Sequence, residues 1–409
     1  MGMIINIDEA LKLRSDYNIL KEPLHAMMRS QQEAWERENP IDFIFSRGSL
    51  ASFQETYTSS IGFAHAFAET ADYAVGPIFN TAEGFSATYR TRTFQGGFII
   101  SQQVLEDGQV RRVKDDATAF VKRWHGDIVE YAIKSLAGGF GEDAFYEAGD
   151  GIKSRLRLTS ADTATGDIMD TTKNPLFYNK HTIVKREGMT AAEIQDAYQS
   201  NLFYVATDDL KIGGNDAGQI SKLADVINQV ITHMENLKDD NGKRAGVLNA
   251  KTIVTGNDAH LKAALATALS AEVFMQGETK FPNPARERAT LKTSPYFLDI
   301  DMCKDGAGFF IVDKSYNEEN HGLELTERIP FTLNAFEKKE APRGIKYEGR
   351  QRFDINVATW RGVAYVRLGT PTGAGDGWNK LANYTRITPT ETIVKPVSVV
   401  GTVTTKAEG

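Results

Sequence analysis

Between residues 109 and 136 apolar side chains return every three or four positions. Val110, Val113, Ala117, Phe120, Val121, Trp124, Ile128, Ala132 and Leu136 make one continuous stripe, which is the period of an amphipathic helix. Between them lie Arg111, Arg112, Lys114, Asp115, Asp116, Lys122, Arg123, Asp127, Glu130 and Lys134, so the opposite face carries charge of both signs. Asp107 is placed to cap the start and Gly138 to stop the end. At 1.5 Å per residue this helix would be about 40 Å long, roughly twice the ordinary globular length. Such a spine needs a long partner surface, and Val113, Phe120, Trp124 and Ile128 are the side chains expected to hold it.

The positions before the spine follow other rules. Leu20, Leu24, Met27, Met28, Gln31 and Trp35 suggest a helix ending before Asn39-Pro40, and Ile41, Phe43, Ile44 and Phe45 then form an apolar cluster. Ile61, Phe63, Ala66 and Phe67 add another. Residues 1–72 read as an arm laid over other surfaces, with a small helical domain as the alternative. Residues 73–100 read as a long hairpin. In it Val75, Ile78 and Phe79 approach a turn at residues 80–84, and Phe85, Ala87, Tyr89, Thr91, Thr93 and Phe94 return before Gly96-Gly97. Thr88, Arg90 and Arg92 alternate with Tyr89, Thr91 and Thr93, the two-residue period of a strand. Both faces of that strand are largely polar, so it is expected either in solvent or against a neighbour.

After the spine, residues 138–179 are rich in Gly, Asp and Thr and read as loops, and residues 190–193 form a capping box. Residues 219–237 repeat the helical period through Ile220, Leu223, Ala224, Ile227, Val230, Ile231, Met234 and Leu237. Residues 251–255 read as a strand, with Asp258 capping a helix over residues 260–271. Residues 297–301 and 309–312 bracket a turn and read as a hairpin. Alternating helices and short strands over residues 219–312 indicate a compact α/β module. Residues 323–368 are strand-like, and the expectation is that the spine packs across these C-terminal strands with the module inserted between. From residue 370 onward, Pro, Gly, Thr and Val dominate, as in an attached tail or an exchanged strand.

A chain of 409 residues with 41% hydrophobic and 25% charged residues is ordinary for a globular protein of two or more domains. Its net charge of −7 argues against a surface built to grip phosphates. One cysteine, Cys303, excludes an internal disulfide and a multi-cysteine metal cage. Folding in a reducing cytoplasm fits. Residues 1–13 lack the basic start and continuous apolar run of a secretory signal, and no stretch is long and apolar enough for a transmembrane helix.

No catalytic constellation emerges. His25, His65, His125, His181, His233, His260 and His321 are scattered, with no His-Glu-x-x-His pair. Asp299, Asp301 and Asp305 fail as a calcium loop because Cys303 and Phe310 occupy ligand positions. Gly138, Gly139 and Gly141 follow a helix instead of opening one, the wrong context for a phosphate. Cys303 has no neighbouring histidine to activate it. A pair such as Glu142 and Asp143 could serve a hydrolase only if a cleft brought the two together. No catalytic residue, cofactor or metal is therefore expected.

The order of these elements resembles the major capsid protein of tailed bacteriophages, the Hong Kong-type capsid fold shared with encapsulins and the herpesvirus shell floor. The resemblance covers roughly residues 59–369. It is carried by Phe98-Ile99-Ile100-Ser101-Gln102-Gln103-Val104-Leu105-Glu106-Asp107 ahead of the spine, by Thr252-Ile253-Val254-Thr255-Gly256-Asn257-Asp258, and by Arg352-Phe353-Asp354-Ile355-Asn356-Val357. It implies an α+β fold: an N-terminal arm at 1–72, an extended hairpin loop at 73–100, and a peripheral domain at 101–185 and 323–369 that includes the spine. An axial α/β domain at 186–322 and a tail at 370–409 complete it.

The resemblance also implies a structural protein that self-assembles, as hexamers and pentamers, into an icosahedral shell around double-stranded DNA without sequence-specific binding. The partners would be further copies, a scaffolding protein, a portal and decoration proteins; no membrane is involved. The location would be the virion capsid, assembled in the bacterial host cytoplasm. Phe79, Phe85, Tyr89, Arg90, Arg92 and Phe94 would make contacts between subunits, Arg90 and Arg92 with carboxylates of an adjacent copy. Some members weld subunits through a lysine of the extended loop; residues 80–95 contain none, so a shell without crosslinks is expected. No charged helical segment precedes the arm, which suggests a separate scaffold or none. An encapsulin-like compartment is the nearest alternative, and a hydrolase using paired carboxylates the alternative of another class.

Overall fold

Two sheets and the long helix between them organise the chain, an α+β arrangement. The structure, a computed structural model, describes residues 26–27, 30, 39–60, 83–107, 110–140, 146–148, 152–154, 175–179, 181, 199–206, 210, 217–239, 242–276, 279–338, 344–371 and 378–381. After a 3-10 turn at Pro40–Phe43 come β1 (Ser46–Ser49), β2 (Gln54–Ser60), β3 (Glu83–Arg90) and β4 (Arg92–Ser101), then helices α1 (Gln102–Glu106) and α2 (Val110–Ala137). A small pair, β5 (Tyr146–Ala148) and β6 (Ile152–Ser154), is followed by β7 (Leu202–Val205), α3 (Ala217–Glu235), β8 (Lys251–Thr255) and α4 (Ala259–Ser270). Next come β9 (Val273–Gln276), β10 (Thr279–Pro282), β11 (Ala289–Thr293), β12 (Gly308–Val312) and α5 (Lys314–Glu319). β13 (Leu323–Lys338), β14 (Gly344–Val357), β15 (Val363–Leu368) and β16 (Asn379–Lys380) close the chain.

The first sheet has the order β1-β13-β14-β4. β13 and β14 are antiparallel neighbours, β4 runs antiparallel to β14, and β1 runs parallel to β13. The spine helix α2 lies on one face of this sheet, as its stripe requires. Val113, Ala117 and Val121 are fully buried, while the charged face neutralises itself along the helix through Arg111–Asp115, Arg112–Asp116 and Arg123–Asp127 at 3.7, 3.9 and 2.7 Å. From Ile128 onward the helix is no longer two-faced: Ile128, Val129, Tyr131, Ala132, Ile133 and Leu136 are all buried. Here it passes from the first sheet into the second, and Gly138 and Gly139 end it by donating back to Ser135 and Leu136 at 3.0 Å each.

The second sheet has the order β11-β8-β12-β15-β7-β16. Every residue of β12 is buried, as expected of a central strand covered on both faces. Phe140, at the end of the spine, stacks on Phe177 at 4.3 Å and meets Tyr365 edge-on at 4.9 Å, so both sheets share one continuous core. Asp258 caps α4 by accepting from the Leu261 N–H at 2.8 Å.

Three expectations are corrected, and one pairing is new. The strand β3 pairs with β2, Gln54↔Arg90 to Ser60↔Glu83, and Gln54–Ser60 has the same threonine- and tyrosine-bearing alternation; residues 73–79, the expected hairpin partner of β3, lie outside the described residues. Ile41, Ile44 and Phe45 are fully buried in the chain's own core beside the spine, so this part of the arm needs no second subunit. Residues 297–301 do not form a strand: Pro295 opens a 3-10 turn, Pro295–Asp299, and β12 pairs with β8 and β15 instead. Finally, β15 belongs to the second sheet and not to the strands under the spine. Its Val363, Ala364, Tyr365 and Val366 are all buried, a run that suits a strand covered on two faces. The expected helix over residues 20–35 (apart from residues 26–27 and 30), the cluster at 61–67, the turn at 80–82, the capping box at 190–193 and the tail beyond residue 381 lie outside the described residues.

Candidate assembly surface

Polar side chains, placed one by one, fasten the spine to the sheet. The indole N–H of Trp124 donates to Gln351 Oε1 at 3.0 Å, and Gln351 Nε2 donates to Glu327 Oε1 at 2.6 Å. One turn of helix earlier, Phe120 packs on Phe98, and Phe98 stacks on Tyr347 at 5.1 Å. Gly96 lies under the Trp124 ring, 3.2 Å from where a Cβ would stand, and a Cβ at Gly97 would collide with the Tyr347 carbonyl oxygen. Two turns later the Tyr131 hydroxyl donates to Asp354 Oδ1 at 2.7 Å, while Arg92 Nε lies 2.9 Å from Asp354 Oδ2. Burial pushes the Asp354 carboxyl above its ordinary value, and the Arg92 guanidinium and Tyr131 hydroxyl pull the other way.

The residues singled out from the sequence fall in different places. Phe79 is outside the described residues, and Phe85 lies on β3. Tyr89 is buried and donates its hydroxyl to the His321 carbonyl at 2.7 Å. Phe94 stacks on Phe353 at 4.6 Å and meets Tyr131 edge-on at 5.2 Å. The expectation that Arg92 lacks a partner within its own chain is thus corrected, because Asp354 supplies the carboxylate. Arg90 differs: its side chain is exposed, its backbone is held by Asn356 at 3.4 and 3.2 Å, and no carboxylate among the described residues lies within ion-pair distance. Val113, Phe120, Trp124 and Ile128 all lie along the helix face described above.

The face of the first sheet turned away from the spine is open. On β4 it presents Thr93, Gln95, Gly97 and Ile99, on β14 Arg350, and on β13 Thr332, Asn334 and Phe336, all exposed. Phe336, Lys346 and Ile99 are direct cross-strand neighbours. Lys346 reaches along its strand to Glu348 at 3.0 Å. Phe336 is 52% exposed, and Phe53, which lies under the Arg352 guanidinium at 5.7 Å, is 53% exposed. Leu248 and Val273, beside the second sheet, are exposed as well. Strand alternation signals this face in the sequence; Gln351 and Asp354 as buried tethers carry no such signal, since strand pattern alone does not say which polar residue finds a partner.

Groups capable of chemistry are used structurally. His181 is fully buried, stacks on Trp360 at 4.0 Å, and its Nε2 lies 3.2 Å from both Leu176 O and Asn201 Oδ1; burial pushes it down to about 3. The Cys303 thiol is buried and pushed up to about 12, which leaves no thiolate to act as a nucleophile. Lys251 and Asp313 form a buried ion pair at 2.8 Å. The ammonium also donates to Val247 O and Asn249 O at 3.0 and 2.6 Å, and the carboxylate caps α5 through the Tyr316 N–H at 3.0 Å. All three ammonium protons are thereby satisfied, the condition for tolerating a charge at such depth. Among the described residues no three His, Cys, Asp or Glu side chains converge as metal ligands.

No family model and no curated protein matches the chain. Among solved structures it is similar to a chain from Mycobacterium phage Patience, at 12% identity and a TM-score of 0.44, covering 88% of this chain and 89% of that one. It is similar also to a chain of the mature capsid of bacteriophage PhiM1, at 11% identity and a TM-score of 0.41 over 80% and 86%. A virus-like particle from Pyrococcus furiosus gives 7% identity and a TM-score of 0.40 over 85% and 98%.

Proposed function

We propose that the chain is a structural shell protein, a major capsid protein of the tailed-phage type, whose copies tile a closed icosahedral particle around double-stranded DNA. One observation carries the reading: the first sheet and its spine make a plate only two layers thick. At 3.3 Å per residue a 16-residue strand such as β13 spans about 50 Å, and the 28-residue spine spans about 42 Å. One broad face of that plate is open, and on it Ile99, Phe336 and Phe53 are exposed together with Arg350 and Lys346. A large exposed face that mixes apolar anchors with charge suits contact with other macromolecules. A plate that binds copies of itself head to tail closes into rings, and rings into a shell.

In this reading hexamers and pentamers form through many modest contacts. Arg90 meets a carboxylate of the adjacent copy, and scaffolding, portal and decoration proteins act during assembly in the host cytoplasm. The chain has no enzymatic role in the particle. Electron microscopy of the purified protein under assembly conditions tests the proposal. Closed shells or capsomer rings are expected, and persistent single chains would overturn it.

A further inference from the structure

The first sheet ends on β4, in the order β1-β13-β14-β4. Ten residues long, β4 keeps an unbroken register with β14 from Arg92↔Phe353 to Ser101↔Gly344. In an antiparallel pair every second residue turns both its N–H and its C=O away from the partner. The far side of β4 therefore presents a row of backbone donors and acceptors, and among the described residues no strand takes them.

Sheet edges are ordinarily protected by shortness, proline, lysine or a bulge. The other edges here follow that rule. β1 and β16 have four and two residues, β11 has five with Lys292 among them, and β13, beyond the stretch that β1 covers, carries Pro330 and two shifts of register. β4 has none of these devices, and its one charge, Arg92, is bound to Asp354. On the spine side Phe94 and Phe98 are only half-buried although each stacks on a ring of β14, which leaves apolar surface along the same edge.

The chain also holds a segment that needs such an edge. Val397-Ser398-Val399-Val400-Gly401-Thr402-Val403-Thr404-Thr405 has seven β-branched residues in nine and no charge, with Pro396 before it and Lys406 after. This composition is strand-forming and, left unpaired, prone to aggregation. Proline is accepted where a strand begins. At a period of two, Val397, Val399 and Val403 share one side and Ser398, Val400, Thr402 and Thr404 the other. Those sides match the two sides of β4, Phe94 and Phe98 on one and Thr93, Gln95 and Ile99 on the other. Fifteen residues, 382–396, separate the segment from Leu381, and they span up to roughly 50 Å.

We propose that residues 397–405 add to the first sheet as a further strand along the outer edge of β4 in the same chain. Each liability answers the other: the backbone groups of the tail find partners, and the edge is closed to strands of other molecules. The valine row covers Phe94 and Phe98, and the threonine row continues the open polar face.

This pairing stands apart from the shell reading and is tested on dilute single chains carrying all 409 residues. Opposite positions on adjacent strands are about 5 Å apart at Cα, within disulfide reach. Gln95→Cys is combined in turn with Ser398→Cys, Val399→Cys, Val400→Cys, Thr402→Cys, Val403→Cys and Thr404→Cys; Cys303 is buried and stays out of the reaction. Under mild oxidation, intrachain disulfides are expected at even-numbered tail positions and not at odd-numbered ones. Any other result, including equal bonding along the tail, no bond, or bonds only between two chains, overturns the proposal. Independently, Val399→Pro with Val403→Pro removes backbone donors from the tail and should lower hydrogen-exchange protection of residues 93–100 about tenfold while residues 345–356 hold. Unchanged protection of residues 93–100 overturns it as well.

Discussion

Trp124 on the spine donates its indole N–H to Gln351 on β14 at 3.0 Å, and the same ring covers Gly96 of β4. One side chain thus holds two neighbouring strands under the helix. Trp124→Asp should destabilise the chain by about 3 kcal/mol or more, enough to prevent folding or assembly. Trp124→Phe keeps most of the packing and strands Gln351 Oε1, for about 1 to 2 kcal/mol. Denaturant midpoints of the unassembled chain measure both.

Arg90 and Arg92 should separate cleanly. Arg92→Glu sets a carboxylate against the buried Asp354 and should destabilise the single chain by roughly 3 kcal/mol. Arg90→Glu removes no ion pair among the described residues and should leave single-chain stability within about 0.5 kcal/mol, while lowering assembly yield and changing its salt dependence. Unfolding curves and light-scattering assembly assays read the two effects. An unchanged assembly yield for Arg90→Glu would remove it from the subunit contact.

Mild acid should weaken the fold through its buried histidines. Burial lowers His181 to about 3 and His125 to about 4 from an ordinary 6.5, and lowers His233 also. The unfolded chain therefore binds protons that the folded one refuses, so stability is complete above about pH 6.5 and declines as pH falls toward the folded values. Each such histidine contributes a slope of about 1.4 kcal/mol per pH unit. Asp354 and Glu324, raised by burial, act in the opposite sense as they take up protons. His181→Phe retains a ring against Trp360 and should reduce the slope of stability between about pH 6 and about pH 5 by that amount, as followed by urea unfolding at a series of pH values.

Assembled particles should run as one monomer band on a denaturing gel. The span from the start of β2 to the end of β4, residues 54–101, contains no lysine. Arginine cannot form the corresponding amide crosslink. A ladder of covalent oligomers would refute this.

The spine was legible because a 3.6-residue period over many turns cannot be mistaken for another element, and Asp258 and Gly138 were legible because capping is local chemistry. The partner of β3 was not. Strand pairing is decided by contacts far apart in sequence, and nothing local in Glu83–Arg90 points to Gln54–Ser60. Ile41, Ile44 and Phe45 announced that they must be buried, but nothing local said whether in their own chain or in another. Among the site residues the alternation of β4 exposed Ile99 correctly, whereas Arg92 looked as free as Arg90, since Asp354 lies 262 positions later in the chain.

By itself the sequence determined what local physics determines: the elements with a strong period, their caps, the absence of cysteine pairs, and a polar strand with little apolar surface to seat it. Tertiary structure decided which strands share a sheet, that the last third of the spine is buried on most sides with only Glu130, Lys134 and Ala137 partly exposed, and that Tyr89 and Glu324 both meet His321 where β13 begins. Those outcomes depend on burial and on charges brought together across hundreds of residues, and their energies exist only once the chain has closed on itself.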